Sequence, residues 1–261
     1  MKIKMKKRYV ILFVILVVYA LFMYFLLGRE NVKQGSYTST FLVGDNTVWN
    51  YSDRQWLNIT QSSSIKKLNW KKFTVYLNNT KAGKFYLWHD DKWYLFDNDK
   101  KAVSATGNMI AYRSNHNISI KPFETVENTN QTYITQVLED NHLSTSSQFT
   151  VNNTTKFDID NDGIEEDFYT ISNAFAISFI PDTIFSIVFM VKDNEIYYLY
   201  NASESNLTQN GCKPYINSFI DTNEDNKYEV IVSCGRYSVE EPIDMLYQYD
   251  KDGFKMLISN Q

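Results

Sequence analysis

Asp158, Asp160 and Asp162 alternate in the stretch Phe157-Asp-Ile-Asp-Asn-Asp-Gly-Ile-Glu-Glu-Asp-Phe-Tyr169, and Gly163 follows at once. Carboxylates held this close repel one another unless a positive charge sits among them. A hard cation that takes roughly six to eight oxygen ligands is the usual remedy. Gly163 supplies the sharp turn that lets the backbone wrap the ion. The carbonyl of Ile164 and the carboxylate of Glu166, or that of Asp167, then complete the shell. A solvated acidic turn without metal is the alternative. A second stretch, Phe219 to Val232, repeats the spacing with Asp221, Asn223, Asp225, the Lys227 carbonyl and Glu229. Asn226 stands where the glycine would be, and Asn is among the residues most tolerant of positive φ. This second loop carries less charge, so weaker binding is expected of it.

The elements that position these loops read as strands. Phe168-Tyr-Thr-Ile171 is aromatic and β-branched. An EF-hand is excluded, because Tyr169 stands where that loop needs its bidentate Glu. A short D-x-D-x-D-G-x-x-E loop closing a β-hairpin resembles the FG-GAP repeats of integrin-α-type propellers and related bacterial surface proteins. The resemblance covers about 148–261 and implies calcium as the ion. It weakens upstream, where Asp97-Asn-Asp99 lacks both the glycine and the final carboxylate.

Hairpins recur along the chain. Aromatic or aliphatic strands flank short polar turns in 41–57, 85–96, 187–200 and 245–258. The two acidic loops start 63 residues apart, a spacing expected of repeated four-stranded units. The predicted fold is therefore all-β, either propeller-like or built of packed antiparallel four-stranded sheets. One short linking helix is expected over 131–143, with Ile134, Val137, Leu138 and His142 on one face. A boundary near 145 separates an N-terminal β-rich region, 41–145, from the calcium-loop repeats, 146–261.

At the N-terminus a basic tail, 1–8, precedes an uninterrupted apolar run from Tyr9 to Leu27. Nineteen residues at about 1.5 Å each span the hydrocarbon core of a bilayer. The run ends in bulky residues, unlike a cleavable signal peptide. Segment 9–28 is thus expected to be a transmembrane signal anchor with its basic end cytoplasmic, followed by a polar tether over 29–40. The rest is expected outside the cell membrane.

Twenty-six basic against 30 acidic residues give no field that favours nucleic acid. The two cysteines, Cys212 and Cys234, flank the second loop. Strand parity groups Cys212 with Ile216 and Ile220, and Cys234 with Val230 and Val232, so both thiols are expected on one apolar face. A disulfide suits an exported domain; two buried free thiols are the alternative. His89, His116 and His142 share no metal-ligand spacing, and no hydrolase, metalloprotease or phosphate-loop motif is present. Trp49, Trp56, Trp88 and Trp93 are candidates for a carbohydrate-stacking surface, although rings in hairpins more often pack on neighbouring strands. The sequence points to a membrane-anchored extracytoplasmic binding, adhesion or surface-assembly module. Its expected partners are a protein or glycan ligand or other envelope proteins. The competing expectation is an envelope glycan-active enzyme or its accessory, with chemistry in 41–145.

Overall fold

The computed structural model describes residues 38–260 except 46, 53, 62, 91, 104–107, 127–129, 146–148, 175–182, 205–211 and 237–241. The basic tail, the apolar run expected to cross the membrane and most of the tether lie outside the described residues. Among the described residues no helix is long and apolar enough to cross a membrane. Residues 38–261 form one compact unit.

That unit is mostly β, with three antiparallel sheets and one short helix. The first sheet holds β1 (Ser39–Val43), β2 (Thr47–Ser52), β3 (Gln55–Asn58), β4 (Lys71–Leu77), β5 (Thr80–His89), β6 (Trp93–Phe96), β7 (Ala102–Val103) and β8 (Met109–Ser114). Their spatial order is β3-β2-β1-β8-β4-β5-β6-β7. Ser39 and Thr40, read from the sequence as the end of the tether, open β1. Two short strands follow, β9 (Ser119–Lys121) and β10 (Glu124–Val126), and then helix α1 (Gln131–Asp140). Strands β11 (Thr150–Phe157), β12 (Glu166–Ser172), β13 (Ile184–Lys192) and β14 (Glu195–Glu204) form a meander with β10 on its edge. Strands β15 (Cys212–Asp221), β16 (Glu229–Arg236), β17 (Ile243–Asp250) and β18 (Gly253–Ser259) form a second meander with β9 on its edge. The pairing of β9 with β15 and of β10 with β11 joins chain from both sides of residue 145.

The last meander is the middle layer. On β16, Val230, Val232 and Cys234 pack toward the β11–β14 sheet, while Ile231 packs toward the first sheet. This strand is apolar on both faces, which is why it reads as a run of hydrophobics rather than an alternation. The outer face of the β11–β14 sheet is covered by α1 through Ile134, Val137 and Leu138, each at most 1% exposed. Asn130 caps that helix by accepting from the Thr132 N–H. His142 falls past the helix end at φ 56° and is exposed, so it does not join that apolar face.

The parity expected for β15 holds only as far as Ile216. A bulge between Ile216 and Ser218 inserts one residue and reverses the faces. Phe219 therefore joins the cysteine side, and Ile220 turns to the first sheet. Cys212 and Cys234 lie diagonally across the β15–β16 pair, two residues out of direct register, with Cα atoms 5.4 Å apart, and form a disulfide.

The middle and first sheets also share a buried polar network. Asp244 on β17 is 2% exposed. It accepts from Thr47 Oγ1 at 2.6 Å and from Ser233 Oγ at 2.5 Å. Burial pushes its carboxyl up to about 6, and the two hydroxyls offset only part of that. Between the unfolded value near 3.8 and the folded value the native state holds the extra proton. This stabilisation is full below the lower value and is lost as pH rises through the upper one. Unfolding free energy from this group should fall by on the order of 2 kcal/mol between pH 4 and 7. Urea unfolding of wild type and Asp244→Asn across that range should show wild type losing stability relative to the variant as pH rises; parallel curves would contradict it.

Candidate metal centre

Both acidic loops connect the first and second strands of a meander. The first runs from Phe157 at the end of β11 to Glu166 at the start of β12, and the second from Asp221 on β15 to Glu229 on β16. Their internal bonding corresponds at the fifth N–H after the first Asp, at the third acid and at the closing glutamate. Asp158 accepts from the N–H groups of Asp162 (3.0 Å) and Gly163 (2.9 Å). Asp221 accepts from those of Asn223 (3.2 Å), Glu224 (2.8 Å) and Asn226 (3.1 Å). Asp162 accepts from the Ile164 N–H, and Asp225 from the Lys227 N–H, each at 2.8 Å. Left-handed backbone falls at the same two positions in each loop. These are Asn161 (59°) and Gly163 (90°) in the first, and Glu224 (63°) and Asn226 (62°) in the second.

The closing glutamates complete the correspondence. Glu166 Oε2 accepts from the Ile159 N–H at 3.0 Å, and Glu229 Oε2 from the Thr222 N–H at 3.0 Å. Each is 2% exposed. Of the two closing carboxylates considered from the sequence, Glu166 turns in, whereas Asp167 lies 3.2 Å from Lys156 on the neighbouring strand. The loops are neighbours in space: Tyr228 N–H donates to Ile159 O at 2.9 Å, and the rings of Phe157 and Phe219 stack 3.9 Å apart.

The charge balance differs between the loops. In the first, single ligand atoms of Asp158, Asp160 and Glu166 lie within 4.8 Å of one another. Lys192, the last residue of β13, reaches into this group. Its ammonium lies 2.9 Å from Asp160, 2.9 Å from Asp162 and 2.7 Å from Glu166. Burial would lower the Lys192 pKa, but the hydrogen bonds to Glu166, Asp162 and Asp160 outweigh it and hold the ammonium charged. Burial raises Glu166, and Lys192 with the Ile159 N–H offsets only part of that. The Lys192 hydrogen bond and the Ile164 N–H lower Asp162.

One ammonium faces four carboxylates, Asp158, Asp160, Asp162 and Glu166. The second oxygen of Asp160, Oδ1, is buried and makes no hydrogen bond. A buried lone pair without a donor is costly, and a cation satisfies it. The all-oxygen donor set fits a hard divalent ion. Ile164, whose carbonyl the sequence assigns to the shell, is 64% exposed.

In the second loop the closing glutamate carries a raised pKa. Burial pushes Glu229 up to about 8; Thr222 pulls it back in part, and Asp225 and Asp221 push it further up. Among the described residues, Asp221, Asp225 and Glu229 do not converge as the first-loop acids do. The loop is instead tied to the β8–β9 connection. His116 Nε2 lies 2.7 Å from the Thr222 carbonyl, and the Asn117 N–H donates to Glu224 at 2.6 Å.

Compared with models of protein families, with curated proteins and with solved structures, the chain finds no match.

Sequence reasoning missed Lys192, since Val191-Lys-Asp-Asn-Glu195 reads as an ordinary charged hairpin turn. Only the pairing of Asp167 with Val191 brings it beside the loop. Of the four candidate tryptophans, three pack inward or on neighbouring strands, the commoner arrangement for rings in hairpins. Trp49 and Trp93 are 1% and 6% exposed, and Trp56 packs against Phe41 and Tyr51. The exposed tryptophan is Trp70, which sequence reading passed over. At Asp97-Asn-Asp99 the Asp97 carboxylate is spent on the N–H groups of Asp99 and Lys101, as in an ordinary turn.

Proposed function

We propose that this chain is a membrane-anchored, extracytoplasmic binding module built from FG-GAP-like units, with calcium at the first acidic loop. One observation supports the repeat reading above others. Two successive four-stranded meanders carry congruent loops between their first and second strands, and the meanders pack face to face. Face-to-face stacking of such units is the arrangement of neighbouring propeller blades. Calcium is assigned because the donors are carboxylates around an unsatisfied Asp160 oxygen. The anchor at 9–27 and the disulfide both suit an exported domain.

In this reading the ion is structural: it ties the start of β12 to the end of β11, and the tie passes through Ile159 and Tyr228 to the second loop. Binding is then left to the surfaces that the rigid stack presents. Protease treatment of intact cells making the full chain tests the placement. Degradation of the 38–261 region without lysis is expected; its protection until the membrane is broken would overturn the reading.

A further inference from the structure

An open groove of about 830 Å³ lies between the β4, β5 and β8 face of the first sheet and the β8–β9 connection. Lys72, Lys81, Lys84 and Arg113 line it, and all four are exposed. Among the described residues none of them pairs with a carboxylate within 4 Å. Glu224 stands at the edge, engaged by the Asn117 N–H. Four cations in one groove of a chain with net charge −4 repel each other, and an anionic occupant relieves that repulsion.

The groove leads onto aromatic rings. The Lys72 ammonium lies 5.3 Å from the Tyr86 ring centroid, Tyr86 pairs with Phe96 across the sheet, and the Phe96 ring lies 5.0 Å from Trp70. Trp70 is 43% exposed and sits at φ 59°, held there by its N–H donating to Leu87 O at 2.7 Å. A bulky residue in left-handed backbone is strained, and such strain gathers where a surface serves binding.

We propose that this groove and the Trp70 platform bind an anionic glycan. Its carboxylate or phosphate groups sit among Lys72, Lys84 and Arg113, and the apolar face of a sugar ring lies on Trp70. A nucleic acid strand fits less well. It carries a phosphate at every unit past acidic Glu224, and Trp70 is tilted 51° to Trp88 and 44° to Phe96, which offers successive bases no common plane. The inference rests on the binding-module reading and supplies its ligand class.

The test uses the full chain in neutral detergent at physiological salt. It is titrated separately with oligogalacturonate, phosphorylated mannan oligomer, neutral dextran and oligothymidylate. Binding of at least one anionic glycan and none of dextran is expected, and the two arms tell carboxylate from phosphate. Lys84→Glu with Arg113→Glu should weaken that binding by about tenfold or more through like-charge repulsion. Trp70→Gly should weaken it comparably at only a small loss of melting temperature, because glycine's relief of the left-handed strain offsets part of the packing lost against Trp88 and Phe96. Equal binding of dextran, tighter binding of oligothymidylate, unaffected variants, or no glycan binding would each overturn the inference. Failure here with the 38–261 region still protease-accessible on cells removes only the ligand class. Protection of that region removes the module reading itself.

Discussion

Phe219→Ala is expected to destabilise the protein by about 3–5 kcal/mol, the range for truncating a fully buried phenylalanine. Phe219 has no exposed surface and is the hub of the ring cluster beneath the two loops. It stacks on Phe157 at 3.9 Å with planes 6° apart, and meets Phe168 at 5.0 Å and Phe123 at 5.4 Å. Phe157 belongs to the first meander and Phe219 to the second, so the truncation opens a void where two sheets meet. The surrounding strands are hydrogen-bonded on both sides and close such a void poorly. For a domain of this size the loss corresponds to a fall in melting temperature of roughly 6–20 °C. Phe219→Leu keeps most of the volume and should cost well under half as much. A loss below about 1 kcal/mol for the alanine variant would mean that the two meanders do not share this core.

Removing the disulfide is expected to cost about 3 kcal/mol, the chain-entropy value for a loop closed across 22 residues. The closed segment contains the whole second loop, from Asp221 to Glu229. Cys212→Ala with Cys234→Ala should therefore lower the unfolding midpoint in guanidinium. It should also steepen the transition, because the unfolded chain expands further without its cross-link. Wild type unfolded in reductant should match the double variant, and the double variant should ignore reductant. Equal stability of wild type and double variant under oxidising conditions would contradict a stabilising bridge.

Much of this architecture was legible in the sequence. The alternating aromatic segments with Asp, Asn or Gly turns became hairpins at all four places, because alternation and turn chemistry are local properties. Ile134, Val137 and Leu138 disclosed a helix face by the same locality. The loop spacing 158-160-162 and 221-223-225 foretold congruent backbone, since each first Asp binds N–H groups only a few residues on. What escaped depends on non-local pairing. The bulge at Asn217, which reverses the face of Ile220, leaves no mark in the sequence pattern. The convergence of Lys192 with Asp160, Asp162 and Glu166 comes from the β12–β13 register. Trp70 carries its exposure through an unusual backbone angle, whereas Trp49 and Trp93 fill cores that sequence reading had no means of locating.

The central claim is that the first loop is a cation site whose carboxylates Lys192 shares with calcium. Calcium titration of wild type and Lys192→Met, followed by thermal melting in calcium, magnesium and chelator, tests it most directly. In wild type a calcium-specific rise of several degrees is predicted. Lys192→Met, freed of the competing ammonium, should bind calcium about tenfold more tightly, a gain of about 1.4 kcal/mol, while losing stability in chelator. A melting temperature indifferent to calcium in both proteins would contradict the claim and leave Lys192 as the sole counter-ion of an acidic turn.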